Sequence, residues 1–385
     1  MDVAVLDFSK AFDTVPHREL LHKLDHYGVR GPLHSWLSTF LTQRSMKVVL
    51  EGESSDAVAV ESGVPQGTVL GPILFLCHIN DLPSCVESEV RLFADDCLLY
   101  RQINTLADHT TLQNDLTKLE QWAQTWGMRF NAKKCYILST TSRSSHFYSL
   151  NNTILQQVSS IPYLGVQISD DLKWNTHIDS ITKRASSTLG FVRRNLRSCP
   201  EHCRRTAYTS LIRPSLEYAA SVWDPHTQTE IDRLEKVQRR AARFIKNDYC
   251  SRTPGCVTTM LSDLKLPPLQ LRRQQLRLSF FYKVVEGLVP AMPPAQFLSP
   301  VRASKRLIKA KTFQGFQTTN IISKHQILNS RGFQIFPTQT DTFEHSFFPR
   351  TTRDWNQLSD DIVCAPSIDA FRTRLQQQGS TPPQI

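Results

Sequence analysis

The sequence predicts an α+β fold followed by a mostly helical region. In the first part of the chain, short apolar runs with the length and β-branched content of strands alternate with helical periodicity. From about Trp174 helical periodicity dominates, and Pro254, Pro267 and Pro268 mark a linker inside that half. We therefore expect three parts: residues 1–168, a helical domain at 169–250, and a partly helical C-terminal region at 251–385.

The first part opens on a buried strand. Residues 3–8 form an apolar run broken by a single acid, and Pro16 then begins a helical pattern that stops at Gly28. The other elements expected in this part are paired strands at 46–50 and 57–60, a helix at 69–82, a hairpin of 90–93 and 97–100, a helix at 106–126, and strands at 137–139 and 163–168.

The second half repeats the helical period several times. The helices expected there cover 176–197, 201–223, 228–247, 269–286 and 367–377, whereas 289–345 is rich in Pro, Ser and Thr and shows little periodicity. In the helix at 228–247, Arg239, Arg240 and Arg243 lie off the apolar stripe. They are either solvated surface or contacts to a nucleic-acid backbone.

Charge is distributed unevenly between the halves. Residues 1–168 carry a balance of −4 and the remainder carries +14, which together give the net charge of +10. A basic half joined to a mildly acidic one suggests a polyanion-binding arm on a module that needs its own carboxylates. The nine cysteines show no framework spacing, and no signal peptide opens the chain. Pro65 and Pro72 interrupt the uncharged stretch at 62–80, which is too short to span a bilayer. We expect an intracellular protein, in the nucleus or cytoplasm, that is neither secreted nor membrane-bound.

Acidic residues interrupt two of the predicted strands. Asp7 lies within the first strand, and Asp95 and Asp96 separate the two arms of the hairpin at 90–100. Buried carboxylates are costly unless they are paired or bind a cation, and oxygen-only ligands favour Mg²⁺. An Asp-Asp pair by itself is more often found in an exposed turn, so the functional interpretation of these acids depends on the segments around them.

Five segments in order resemble the reverse transcriptases of LINE-type, non-LTR retrotransposons. They are LDFSKAFD at 6–13, GVPQGTVLGP at 63–72, FADD at 93–96, NAKK at 131–134 and YLGV at 163–166. Segments 218–223 and 350–375 are similar to the downstream region of jockey-like elements. The resemblance implies a right-hand polymerase palm, an antiparallel sheet backed by helices, followed by a mostly helical thumb and C-terminal region.

The resemblance also implies roles for single residues. Asp7 and Asp95 would bind two metal ions with help from Asp96, and Lys134, or else Lys133, would donate a proton to pyrophosphate or steady its charge. The nucleotide pocket would contain Phe8, Phe12 as a steric gate against the 2′-hydroxyl, Gln66 and Gly67. Tyr163, Leu164 and Gly165 would hold the primer end. Asp13 suits the start of a helix at least as well, and it stays outside the catalytic set.

The expected activity is RNA-directed DNA polymerisation by two-metal nucleotidyl transfer to a primer 3′-hydroxyl. The cofactors would be two Mg²⁺ ions, with Mn²⁺ as an alternative, and the partners an RNA template, a DNA primer and deoxynucleoside triphosphates. Because Asp7 is so near Met1, we expect the preceding fingers and endonuclease segments to be absent, which would leave the pocket without one wall.

Three rival interpretations remain open. The first is a non-catalytic, nucleic-acid-binding remnant of a retrotransposon polymerase that uses only its basic half. The second is an unrelated metal-dependent nuclease, which would leave Phe12 and the segment at 63–72 unexplained. The third adds a zinc site around Cys199, His202 and Cys203, with Cys250 and Cys256, but the spacing and the lack of a second histidine argue against it.

Overall fold

The computed structural model describes residues 1–140, 146–301 and 329–378, and these form two compact units, Met1–Leu172 and Lys173–Ile385. The first unit is α+β and the second is helical, so the predicted fold class is confirmed. The further division of the second unit at residue 250 stays a prediction, and part of its C-terminal region lies outside the described residues. No described helix has both the length and the apolar character needed to span a bilayer.

The first unit contains thirteen strands among its described residues, most of them very short. They are β1 (Asp2–Asp7), β2 (Ser45–Met46), β3 (Val49–Leu50), β4 (Glu53–Ser54), β5 (Val58–Ala59), β6 (Glu89–Phe93), β7 (Asp96–Arg101), β8 (Tyr136–Ser139), β9 (Ser149–Leu150), β10 (Thr153–Ile154), β11 (Gln156–Gln157), β12 (Ser160–Tyr163) and β13 (Val166–Ser169). Its helices are α1 (Ala11–Thr14), α2 (His17–His26), α3 (Gly31–Thr42), α4 (Leu70–Ile79) and α5 (Leu106–Thr125).

One five-stranded sheet organises this unit, in the order β11-β8-β1-β7-β6. Strand β1 is central and antiparallel to both neighbours, and only β11 runs parallel to its partner. The core lies between the sheet and the helices, where Leu6 and Phe8 of β1 and its end meet Leu20 of α2, Phe75 of α4 and Leu116 of α5. Burial of these side chains anchors β1, and with it the acid at its end.

Two predictions for the first unit need correction. Residues 163–168 are not one strand: β12 and β13 form a hairpin that turns at Leu164 and Gly165, both with positive φ. The segments at 46–50 and 57–60 pair only between β2 and β5, because β3 pairs instead with β4. In both places a short turn reverses the chain inside what reads as a continuous run.

The second unit is a set of helices. They are α6 (Asn175–Asn195), α7 (Glu201–Ala207), α8 (Ala220–Trp223), α9 (Gln228–Lys246), α10 (Cys256–Asp263), α11 (Leu269–Val285), α12 (Pro294–Phe297), α13 (Asp341–Glu344), α14 (Phe347–Asn356), α15 (Asp360–Val363) and α16 (Ile368–Gln378). The expected helix at 201–223 is broken into π and 3₁₀ turns around Pro214, and α10 and α14 were not predicted. Its C-terminal core contains Phe281, Trp355 and Phe371.

Candidate active site

The three acids predicted from the sequence meet at one end of the central sheet. Asp7 is the last residue of β1 and lies opposite Asp96, the first residue of β7. Asp95 precedes it in the turn of the β6–β7 hairpin, where Ala94 takes the left-handed conformation (φ 51°) that a two-residue turn requires. Hairpin register therefore brings the acids together, and all three are partly accessible to solvent.

The carboxylates disfavour one another's ionised form. Burial raises the pKa of Asp7, while the Lys134 ammonium opposes that rise and the Asp95 carboxylate adds to it. Burial also raises the pKa of Asp96, with further contributions from Asp95 and Asp7. A divalent cation would relieve this repulsion, and an all-oxygen, partly exposed donor set suits Mg²⁺. The residues present therefore fit the metal ions that the sequence implies.

Lys134 approaches the acids from the turn that follows α5. Its ammonium Nζ is 3.9 Å from Asp7 Oδ2, and its side chain is mostly exposed. The turn is tied to β1 because the Asn131 amide donates to the Asp7 carbonyl (2.8 Å) and the Asp7 amide donates to Cys135 Sγ (3.4 Å). These bonds hold the backbone of the turn so that the Lys134 ammonium lies beside Asp7, whereas Lys133 has no ion pair with the acids among the described contacts.

The segment at 63–72 packs against the loop that follows β1. The Val64 amide donates to the Phe12 carbonyl and the Gly63 amide to the Val15 carbonyl, both at 2.8 Å. A Cβ atom on Gly63 would lie 2.8 Å from the Asp13 carbonyl oxygen, so only glycine allows this approach. Gln66, beside the open Gly67, is thereby held next to that loop.

Asp13 has a role that the sequence did not predict. It lies in the first turn of the four-residue helix α1, and its Oδ1 accepts a hydrogen bond from Gln66 Nε2 at 2.8 Å. Since a carboxylate can only accept, this contact fixes which end of the amide faces Asp13. The two residues are 53 positions apart in the sequence, so no local sequence pattern predicts this pair.

The two phenylalanines differ in their surroundings. Phe12 is half-buried and stacks on Phe75, with 4.5 Å between ring centroids. Phe8 is only 3% exposed and stacks on Phe130 at 4.3 Å. Any nucleotide contact from Phe8 would have to come from its backbone, because its ring belongs to the core.

The predicted primer-grip residues occupy the turn of the β12–β13 hairpin. Tyr163 ends β12, and Leu164 and Gly165 form the turn itself. Burial raises the pKa of the Tyr163 phenol, and the Asp96 carboxylate raises it further, so the ring lies within electrostatic range of the acids.

The three predicted backbone-binding arginines of α9 are not equivalent. Arg239 and Arg240 are exposed, and the only described ion pair of Arg239 is a long one of 3.9 Å to Asp232. Arg243 instead donates to the carbonyls of Asp248 and Ser251, which fastens the loop after its own helix. A cleft of about 290 Å³ lies between α6 and α9 and is lined by Arg193, Arg240, Arg243, Phe244 and Tyr249, among others.

Comparison with known proteins gives a consistent result. Residues 3–168 match the family model described as "Reverse transcriptase (RNA-dependent DNA polymerase)". The chain is 30% identical to the RNA-directed DNA polymerase from mobile element jockey of Drosophila melanogaster, over 69% of this chain and 30% of the relative. It is 28% identical to the probable RNA-directed DNA polymerase from transposon BS of the same species, over 80% and 35%.

The chain thus spans about a third of the length of these curated relatives. Among solved structures, telomerase from Candida albicans in complex with a fragment of telomeric RNA matches over 78% of this chain and 51% of its own. The identity there is 12% and the TM-score is 0.37.

Proposed function

Because this chain belongs to the reverse transcriptases of jockey-like non-LTR retrotransposons, we propose that it catalyses RNA-directed DNA synthesis with the carboxylates at the end of its central sheet. One observation carries the proposal: Asp7 meets Asp95 and Asp96, which are far from it in the sequence, where β1 and β7 are paired. Paired carboxylates at one site are what two-metal phosphoryl transfer requires.

Asp7 and Asp95 would hold two divalent ions, Mg²⁺ or alternatively Mn²⁺, and Asp96 would assist. When bound, the ions supply charge neutralisation and activation of the attacking oxygen. The protein's own residues supply the other interactions with the substrates. Lys134 balances negative charge near Asp7, Phe12 limits the space under the sugar, and the remaining contacts come from Gln66 and Gly67 in the nucleotide pocket and from Tyr163, Leu164 and Gly165 at the primer.

The substrates would be an RNA template, a DNA primer and deoxynucleoside triphosphates. Exposed Arg239 and Arg240 would contact phosphates of the duplex, which agrees with the excess of positive charge beyond residue 168. Arg243 supports the same surface by holding its loop. All nine cysteines are free, which suits the reducing interior of the cell, in the nucleus or the cytoplasm.

RNA-templated primer extension tests the proposal. We expect the chain to add deoxynucleotides in Mg²⁺ buffer, and Asp95→Asn to reduce extension to background because a shared ligand is lost. Asp56→Asn changes an exposed acid of the β4–β5 loop and should leave extension intact. If the wild-type chain binds a template–primer but extends it with neither Mg²⁺ nor Mn²⁺, the non-catalytic nucleic-acid-binding interpretation is correct instead.

A further inference from the structure

The helical unit contains a second group of metal-ligating side chains, separate from the carboxylates of the sheet. His226 follows α8, Asp341 is the first residue of α13, and His345 ends that helix. Their ligand atoms all lie within 4.8 Å of one another. Among the described residues, no other group of three or more such side chains has its ligand atoms this close together, the carboxylates of the sheet included.

The spacing fits a small transition-metal ion. His226 Nε2 is 3.2 Å from Asp341 Oδ2, and His345 Nε2 is 3.4 Å from Asp341 Oδ1. Tetrahedral Zn²⁺ with bonds of about 2.0–2.1 Å places its ligands about 3.3–3.4 Å apart. The two imidazoles stack in parallel, with centroids 3.9 Å apart, so both present Nε2 to the same carboxylate. To bind one ion together, the two rings would have to turn out of this stacked arrangement, so that both Nε2 lone pairs point at the ion.

Neighbouring contacts hold the two ligand-bearing segments in place. Arg350 of α14 donates to the carbonyls of Asp224 and Pro225, immediately before His226. In the second ligand-bearing segment, the Thr340 side chain accepts a hydrogen bond from the Phe343 amide and caps the start of α13. This helix begins at Asp341, and His345 is its C-cap residue. Because both backbones are fixed independently of the ligands, only the side chains would have to move when an ion binds.

The ligand types indicate which ion would bind. Imidazole nitrogens suit Zn²⁺ and its neighbours among the divalent transition metals, whereas Mg²⁺ prefers oxygen. Asp341 is exposed, so the remaining coordination positions would face solvent and take water. We propose that His226, Asp341 and His345 form a surface site for Zn²⁺ or a similar divalent transition-metal ion. The bound ion would link the segment after α8 to α13.

Metal titration of the full chain tests this site. The protein is first stripped with a chelator and then kept in excess Mg²⁺, which occupies oxygen-only sites. We expect one equivalent of Co²⁺ to produce visible absorption without a thiolate charge-transfer band, and Zn²⁺ to displace it. Zn²⁺ should also raise the melting temperature, since it binds only the folded state.

Three variants decide between this site and its competitors. His226→Ala and His345→Ala should each weaken Co²⁺ binding at least tenfold, and so should Asp341→Asn, an exposed and nearly isosteric change that leaves the fold intact. The matched control is His202→Ala, which removes a histidine next to Cys203 in α7. The proposal is overturned by the absence of saturable binding, by a thiolate band, or by binding that depends on His202 and not on these three residues.

Discussion

At the scale of single residues, the pair formed by Asp13 and Gln66 orients the Gln66 amide in the proposed nucleotide pocket. Gln66 Nε2 donates to Asp13, so the amide oxygen of Gln66 is left as an acceptor for another partner. Asp13 acts through Gln66, and we regard it as a positioning residue.

Replacing Asp13 should therefore affect substrate binding more than turnover. Asp13→Ala frees the Gln66 amide to rotate and should raise the KM for deoxynucleotides about fivefold, for a hydrogen bond of about 1 kcal/mol. Asp13→Asn keeps an acceptor and should restore most of the loss. Single-nucleotide kinetics measure both constants; an unchanged KM for Asp13→Ala would show that the contact has no functional role.

Phe12 gives a second prediction at this scale. As a steric gate, Phe12→Val should preserve deoxynucleotide incorporation and raise ribonucleotide incorporation at least tenfold, where each tenfold corresponds to about 1.4 kcal/mol. As a support for Phe75 alone, the same change would cost about 1–3 kcal/mol of stability and lower both rates together. The ratio of the two rates decides, and Phe8→Leu, a change in a fully buried ring, should leave that ratio unchanged.

At the scale of elements, the sequence predicted the strands and helices whose pattern is continuous and missed those whose residues are unusual for the conformation that they adopt. The strand β1, the β6–β7 hairpin and helix α5 were predicted because their periodicity and turn residues are continuous along the chain. The β12–β13 turn was missed because Leu164 is not a turn-forming residue, yet it adopts φ 46°. Helix α14 was not predicted, since Pro349 lies in its first turn and the two phenylalanines before it are not residues that typically begin a helix.

The juxtaposition of β1 and β7 also has a cost for stability. The pKa of Asp96 is raised in the folded state, so its ionised form opposes folding at neutral pH, and this opposition disappears as the pH falls through the folded-state pKa. In metal-free buffer, Asp96→Asn should raise the melting temperature by a few degrees at pH 7 and by less near pH 4.

Mg²⁺ should raise the melting temperature of the wild-type chain and narrow its difference from Asp96→Asn. Asp56→Asn serves as the control and should behave like the wild type. A variant that melts below the wild type at pH 7 would mean that Asp96 stabilises the sheet and that the repulsion is not significant.

At the scale of the whole molecule, acidic and basic residues are divided along the chain in a way that suits the proposed polymerase activity. The first part carries the acids that would bind cations, while the positive charge is concentrated beyond residue 168, on helices such as α9. The sequence alone predicted this division, because charge counting requires no fold. It could not predict that Arg243 would fasten a loop while Arg239 and Arg240 remain exposed, since the Asp248 and Ser251 carbonyls become partners only after folding.

The proposed function requires that Asp7, Asp95 and Asp96 form one metal centre. Electron paramagnetic resonance with Mn²⁺ can count the ions bound to the chain in the presence of template–primer and a non-hydrolysable deoxynucleotide. We expect about two ions at this centre, and Asp95→Asn should lose at least one of them while Asp56→Asn retains both. His226→Ala, used as the background, removes any contribution from the helical unit. If the wild-type chain and Asp95→Asn bind the same number of ions, the carboxylates do not form the metal centre and the proposed function is wrong.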